Sequence, residues 1–241
     1  MDPLEPPRVD LNADLGESVE RWESGEDLAL LDVVTSANVC CGAYAGDEGL
    51  MFATCLAAAE RGVAIGAQVG YPDREGFGRR PQDPDHDELV RQVREQVDLL
   101  AEIADETGAT VAYVKPHGAL YHAVTSDEAQ SAAVVEAVAP YGLPLLGLPH
   151  ALALSRARAE GLPVVVEGFA DRAYTPSGDL VPRSDPGAVL HDRAAVAAQA
   201  VRLLGTVDSI CLHSDSPGAV DLAGAVRAAL ERAGATIGPF A

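Results

Sequence analysis

The chain has 241 residues, 48% of them apolar but only 5% aromatic, so any core is built mostly from Ala, Val and Leu. A formal net charge of -20 repels a phosphate backbone, which argues against a nucleic-acid partner. Every apolar stretch is broken well short of the ~18 residues of a membrane span, and the four cysteines form neither a CxxC pair nor an extracellular disulfide framework, so a cytoplasmic protein is expected.

Residues 1–7 read as a short disordered tail, and no linker or composition shift divides the remainder, so 8–241 read as one domain. The first expected strand covers 9–13, with Asn12, Asp14 and Glu17 at its end. A second covers 33–41, bearing Asn38 and followed by Tyr44 and Asp47, then a helix over 48–61. The third, 63–69, carries Gln68 and leads to Arg79 and Arg80. The helix expected over 87–107 places Leu89, Val90, Val93, Val97, Leu100 and Ala104 close to a 3.6-residue period. Strand four, 110–115, ends on Lys115 and opens into His117 and Tyr121, and Ser126-Asp127-Glu128 reads as the start of a helix over 126–139. A fifth strand over 143–148 and a helix over 150–160 follow. The sixth strand, 163–169, carries Glu167 and leads to Asp171, Arg172 and Tyr174, then a helix over 192–204. The seventh, 209–213, ends on His213 and Asp215. A helix over 217–233 and a weaker strand over 236–240 finish the chain.

Repeated strand–loop–helix units predict a parallel sheet, and seven or eight of them in this length favour a (β/α) barrel over an open doubly wound sheet. In parallel α/β folds the loops after strand C-termini carry the site, and the uncommon polar residues collect there. Asn12 and Asp14 could also simply shape a turn, and His86, His150 and His191 read as helix-start residues. Lys115 stands apart as the only lysine against sixteen arginines, which suggests a role that arginine's rigid fork cannot fill. Because Pro116 follows it there is no Walker loop. No GxGxxG follows the first strand, and no GxSxG elbow occurs.

At these same residues the chain resembles the 5-oxoprolinase A-subunit family, also described as lactam-utilisation proteins. The resemblance lies in Val9-Asp-Leu-Asn-Ala-Asp-Leu-Gly-Glu-Ser18, Thr35-Ser-Ala-Asn38, Ala64-Ile-Gly-Ala67, Gly70-Tyr-Pro-Asp73, Gly76-Phe-Gly-Arg-Arg80, Val114-Lys-Pro-His-Gly-Ala-Leu-Tyr121, Phe169-Ala-Asp-Arg172 and Cys211-Leu-His-Ser-Asp-Ser-Pro217. It implies a barrel related to the polysaccharide-deacetylase type, and a role with two partner subunits in the ATP-dependent opening of 5-oxo-L-proline to L-glutamate. Tyr44 and Gln68 stand where the family usually has histidines. Neither replaces imidazole well around a borderline metal, so no divalent ion is expected in the barrel, and Mg2+ is expected only with ATP.

Opening a lactam through a phosphorylated amide oxygen calls for cations on phosphate and carboxylate oxygens and a base near the water. Lys115 is the expected stabiliser of the oxyanion. Asp14 is the first choice of base, with His117 or the His213/Asp215 pair moving the proton. Arg79 and Arg172 are expected to hold anionic groups, and Asn12, Glu17, Asn38, Tyr44, Gln68 and Glu167 to contact substrate, with Glu17 also orienting Asn12 or a water. The alternatives are a metal-independent or weakened amide or carbohydrate hydrolase, and a non-catalytic scaffold or substrate-delivery subunit.

Overall fold

The computed structural model describes residues 6–240. Its strands are β1 (Arg8–Leu15), β2 (Ser36–Cys40), β3 (Ala64–Val69), β4 (Val111–Pro116), β5 (Leu145–Gly147), β6 (Val164–Phe169), β7 (Ser209–Leu212) and β8 (Thr236–Ile237). The helices are α1 (Val19–Ser24), α2 (Glu26–Leu31), α3 (Glu48–Arg61), α4 (His86–Glu106), α5 (Gly118–Ser126), α6 (Glu128–Val138), α7 (Leu152–Ala159), α8 (Arg193–Leu203) and α9 (Ala219–Arg232). Strands β1 to β7 run parallel, each beside its sequence neighbour, and β1 pairs with both β2 and β7, which closes a seven-stranded barrel. The expectation of a barrel holds, and the choice between seven and eight strands resolves to seven. β8 pairs only with Arg8 and Val9 at the start of β1 and does not enter the ring. Residues 1–5 of the expected tail lie outside the described residues, whereas the Pro7 carbonyl accepts from the Thr236 amide.

Side chains alternate across each strand. In β1, Val9, Leu11, Ala13 and Leu15 join the apolar layer between barrel and helices, while Asp10, Asn12 and Asp14 belong to a buried polar set. The helices supply the other half of that layer. Asp85 caps α4 by accepting from the Glu88 amide, and Leu89, Val90, Val93, Val97, Leu100 and Ala104 are all buried, as their spacing predicts. Each such Leu or Val contributes about 1.5–3 kcal/mol on burial.

The lumen is polar. Tyr113 lies within it because Gly66 leaves room: a Cβ there would come within 2.0 Å of the Tyr113 ring. Phe240 packs edge-on against Tyr113 from the C-terminal tail, at a centroid distance of 5.1 Å. Asp10, 1% exposed, accepts from Thr35 and Ser36, both at 2.6 Å, and from Ser209. Burial raises the Asp10 pKa, and these hydroxyls offset part of that cost.

The expected helix over 126–139 begins later, at Glu128, with Asp127 accepting from the Gln130 amide, and α5 precedes it. Val33 and Val34, expected in the second strand, instead hydrogen-bond back to Leu30 at the end of α2. No helix among the described residues is long and apolar enough to cross a membrane.

Candidate active site

The C-terminal ends of the strands open into a cavity of about 620 Å³. Asp14, Gln68, Arg79, Lys115, His117, Arg172 and His213 all line it, so residues from five of the expected strand ends do converge, while Asn38 and Tyr44 at the end of β2 are not among the lining residues. Lys115, 3% exposed, sits at its base. Its Nζ donates to Asn12 Oδ1 at 3.1 Å and Cys211 Sγ at 3.2 Å, and lies 2.8 Å from Glu167 Oε2 and 3.9 Å from Asp14 Oδ1. Burial works against the ammonium, but Cys211, Glu167 and Asp14 outweigh it and the pKa is raised. Burial also raises Cys211 and so keeps it a thiol, which leaves the carboxylates as the true counter-charges. Lys115 is therefore a fixed cation rather than a proton carrier.

Asn12 and Asn38 are wholly buried beneath this floor. Asn38 Nδ2 donates to Asn12 Oδ1 at 2.7 Å and to Asp14 Oδ1 at 2.9 Å, while Tyr113 donates to Asn38 Oδ1 at 2.7 Å. Asn12 also donates to Ser209 at 2.6 Å. These contacts make Asn12, Asn38 and Glu167 positioning groups for Lys115 and Asp14, set behind the cavity wall, where the sequence suggested substrate contacts.

Asp14 and Glu17 sit close together and titrate in opposite directions. For Asp14, burial raises the pKa, but Lys115, His213 and His117 outweigh it and the carboxyl is lowered. For Glu17, burial and then Asp14 and Asp215 push it well above the usual carboxylate range. A depressed Asp14 is a weak proton acceptor, which counts against its expected role as base. His117 is held neutral by burial, with its pKa down at about 4 despite Asp14. Its ring stacks on Tyr44 with 3.9 Å between centroids, and Tyr44 in turn donates to Gln68 Oε1 at 2.7 Å. The residues standing in place of two family histidines thus bind each other. They do not fit a metal site of the deacetylase kind, and Tyr44 supports His117 from behind.

The expected His213/Asp215 pair is corrected. β7 ends at Leu212, so His213-x-Asp215 is a turn and the two side chains part. His213 Nδ1 lies 3.0 Å from Asp171 Oδ1, and the same carboxylate accepts from the His213 amide at 3.1 Å. Asp215 goes to the rim, accepting from Arg79 at 2.6 Å and Arg183 at 2.9 Å, and these guanidinium groups hold its carboxyl well below the usual range against the effect of burial. Arg172, expected on a substrate anion, is 2% exposed and spends two donors on backbone, Nη2 to Val181 O at 2.6 Å and Nε to Ala188 O at 3.3 Å. Sequence reasoning missed the partnership of Asp171 with His213 and the whole of Arg183. The motif Phe169-Ala-Asp171-Arg172 carried the first signal, and no local pattern marks the second.

A closed ring of seven parallel strands wrapped by helices makes this a (β/α) barrel protein, with its polar site at the C-terminal mouth of the strands. The family 4 carbohydrate esterase from Streptomyces lividans shares that fold, with a TM-score of 0.57 at 14% identity over 98% of this chain and 93% of that one. The chain belongs to the LamB/YcsF family, which it matches over residues 9–241. It is 52% identical to a Streptomyces avermitilis protein named as the A subunit of 5-oxoprolinase, across 97% of this chain and 100% of the relative. The crystal structure of a lactam utilization protein from Thermus thermophilus superposes with a TM-score of 0.89 at 38% identity, over 97% of this chain and 100% of that one.

Proposed function

We propose that this chain is a cytoplasmic subunit of an ATP-dependent 5-oxoprolinase. With two partner subunits it opens 5-oxo-L-proline to L-glutamate at the expense of ATP, with Mg2+ accompanying the nucleotide. The observation that supports this most is Lys115, an amine held beside Glu167 and Asp14 and buried at the base of a cavity of about 620 Å³, large enough for a small lactam. A cation fixed in a desolvated site stabilises negative charge developing on an amide or phosphorylated oxygen with little reorganisation.

His213, oriented through Nδ1 by Asp171, faces the cavity and is the better base for the attacking water than Asp14. Water adds to the activated lactam carbon and His213 takes its proton. With the amide oxygen phosphorylated by ATP and ADP released, collapse of the adduct breaks the C–N bond, returns a proton to the departing nitrogen and leaves a γ-glutamyl phosphate, which a second water hydrolyses to glutamate and phosphate. Arg79 and Arg183, now shared on Asp215 at the rim, are the groups to which a substrate carboxylate or phosphate is drawn.

The test is glutamate release from 5-oxoproline plus ATP, with and without the two partners. Turnover is expected with the complete set and falls by about 10²–10³ when this chain carries Lys115→Arg. A complete mixture that releases no glutamate overturns the reading.

A further inference from the structure

Asp14 at the end of β1, Glu17 in the loop beyond it and His117 at the end of β4 each offer a ligand atom, all within 4.8 Å of one another. Glu17 is 8% exposed, yet its Oε1 has no hydrogen-bond partner, and the nearest imidazole nitrogen, His117 Nδ1, is 3.9 Å away. That gap is too long for a hydrogen bond. It suits two atoms that share a cation, since ligands ~2.0–2.4 Å from one ion lie roughly 3–4.8 Å apart.

The surroundings prepare each group for that task. His117 Nε2 meets the Phe77 carbonyl at 3.0 Å, so Nε2 carries the hydrogen and the Nδ1 lone pair is left for the carboxylates. Phe77 has φ 55, the one non-glycine residue with positive φ among the described residues, and this strained turn is what delivers its carbonyl to the ring. Stacking on Tyr44 fixes the imidazole plane, and Asn38 holds Asp14 through Oδ1. The other oxygen of Glu17 has only a long contact, 3.4 Å, from the Ser214 hydroxyl.

We propose that Asp14, Glu17 and His117 bind one divalent cation of the Mn2+/Zn2+ class. Two carboxylates and a neutral imidazole are the donor set such ions accept. The expectation of a metal-free barrel rests on Tyr44 and Gln68, which hydrogen-bond to each other and supply no ligand here. The site itself stands apart from the proposed reaction. Its consequence, a second positive charge beside Lys115 facing the amide oxygen, rests on that reading. Asp14 and His117 are then ligands, and the proton is left to His213 and Asp171.

The experiment is a titration of chelator-treated full-length chain with MnCl2, following free Mn2+ by its paramagnetic resonance signal, with ZnCl2 in a parallel calorimetric run. One equivalent is expected to bind, with Kd on the order of micromolar, and the bound ion should raise the unfolding temperature. Glu17→Gln and His117→Gln should each weaken binding by about tenfold or more, a loss of at least ~1.4 kcal/mol. Wild-type chain that takes up neither ion at about 1 mM overturns the site, and so does binding unchanged in both variants. The wild-type result decides even if a variant misfolds. Glutamate release is not the readout, so a chain that binds Mn2+ here but gives no product with its partners sinks the reaction and keeps the site.

Discussion

Replacing Lys115 with arginine keeps one positive charge but asks a planar five-donor fork to fit where Asn12, Cys211 and Glu167 already surround Nζ at 2.8–3.2 Å. Turnover of the assembled enzyme is expected to fall by about 10²–10³, the scale for losing a main oxyanion donor, and steady-state kinetics on Lys115→Arg check it. Lys115→Met is a different perturbation. It strands fully buried Glu167 without its cation, which costs about 3–5 kcal/mol of stability, readable by urea unfolding. Asp171 makes a second case. Burial raises its pKa, but His213 and its hydrogen bonds outweigh this and the carboxyl is lowered from 3.8. The folded state therefore binds fewer protons than the unfolded one just below 3.8, so this contribution is complete above that pH and is lost as pH falls through the folded value. Asp171→Asn should be clearly less stable than wild type at pH 6, with the gap narrowing at pH 3, and a gap of equal size at both would refute the assignment. Of these residues, Lys115 was legible because its type is unique in the sequence. The His213 partner was not, because Asp171 lies 42 residues away while Asp215 sits two away.

Arg172 shows what a single side chain does for a whole segment. Between β6 and α8 the chain makes a long excursion instead of entering a helix, held by an antiparallel bridge between Arg172 and Val189 and another between Tyr174 and Leu180. Arg172 ties its middle down at Val181 and Ala188, and Gln199 of α8 secures its root through the carbonyls of Phe169, Ala170 and Arg172. Arg183, carried on this excursion, closes over the cavity rim onto Asp215. Arg172→Ala is expected to release the segment, so limited proteolysis should cut within residues 175–187 several-fold faster than in wild type, while urea unfolding of the barrel changes much less. Equal cutting rates would show that the excursion holds without this residue. The polar cluster after the sixth strand marked the segment as important, yet its shape was illegible. It has no periodicity, and its hydrogen bonds run to carbonyls of residues far along the chain. The opposite loop depends on a close approach of similar kind: Gly118 has φ 57, and a Cβ there would come within 2.4 Å of the Gly78 carbonyl.

At the scale of the molecule, the alternation of apolar strands and amphipathic helices made the barrel legible, and the polar alternation Asp10, Asn12, Asp14 pointed inward as the fold requires. The six-residue helices α1 and α2 were missed because so short a helix has little intrinsic stability and forms through its caps and packing. The charge raises a further question, since 37 acidic residues face 17 basic ones. Two effects of salt compete. Screening weakens surface ion pairs such as Arg61–Asp32, Arg91–Glu95, Arg156–Glu128 and Arg227–Glu231, but each of these is worth only about 0–1 kcal/mol. Screening also relieves repulsion among the excess carboxylates, which acts over the whole surface at a range of about 10 Å. The Lys115–Glu167 pair is buried and feels little of either. Repulsion should win, so Tm is expected to rise by several degrees between about 0.05 and 0.5 M NaCl, at roughly 2–4 °C per kcal/mol for a chain of this size. Scanning calorimetry across that range decides it, and a flat or falling Tm would mean that local pairing, not the net field, governs this surface.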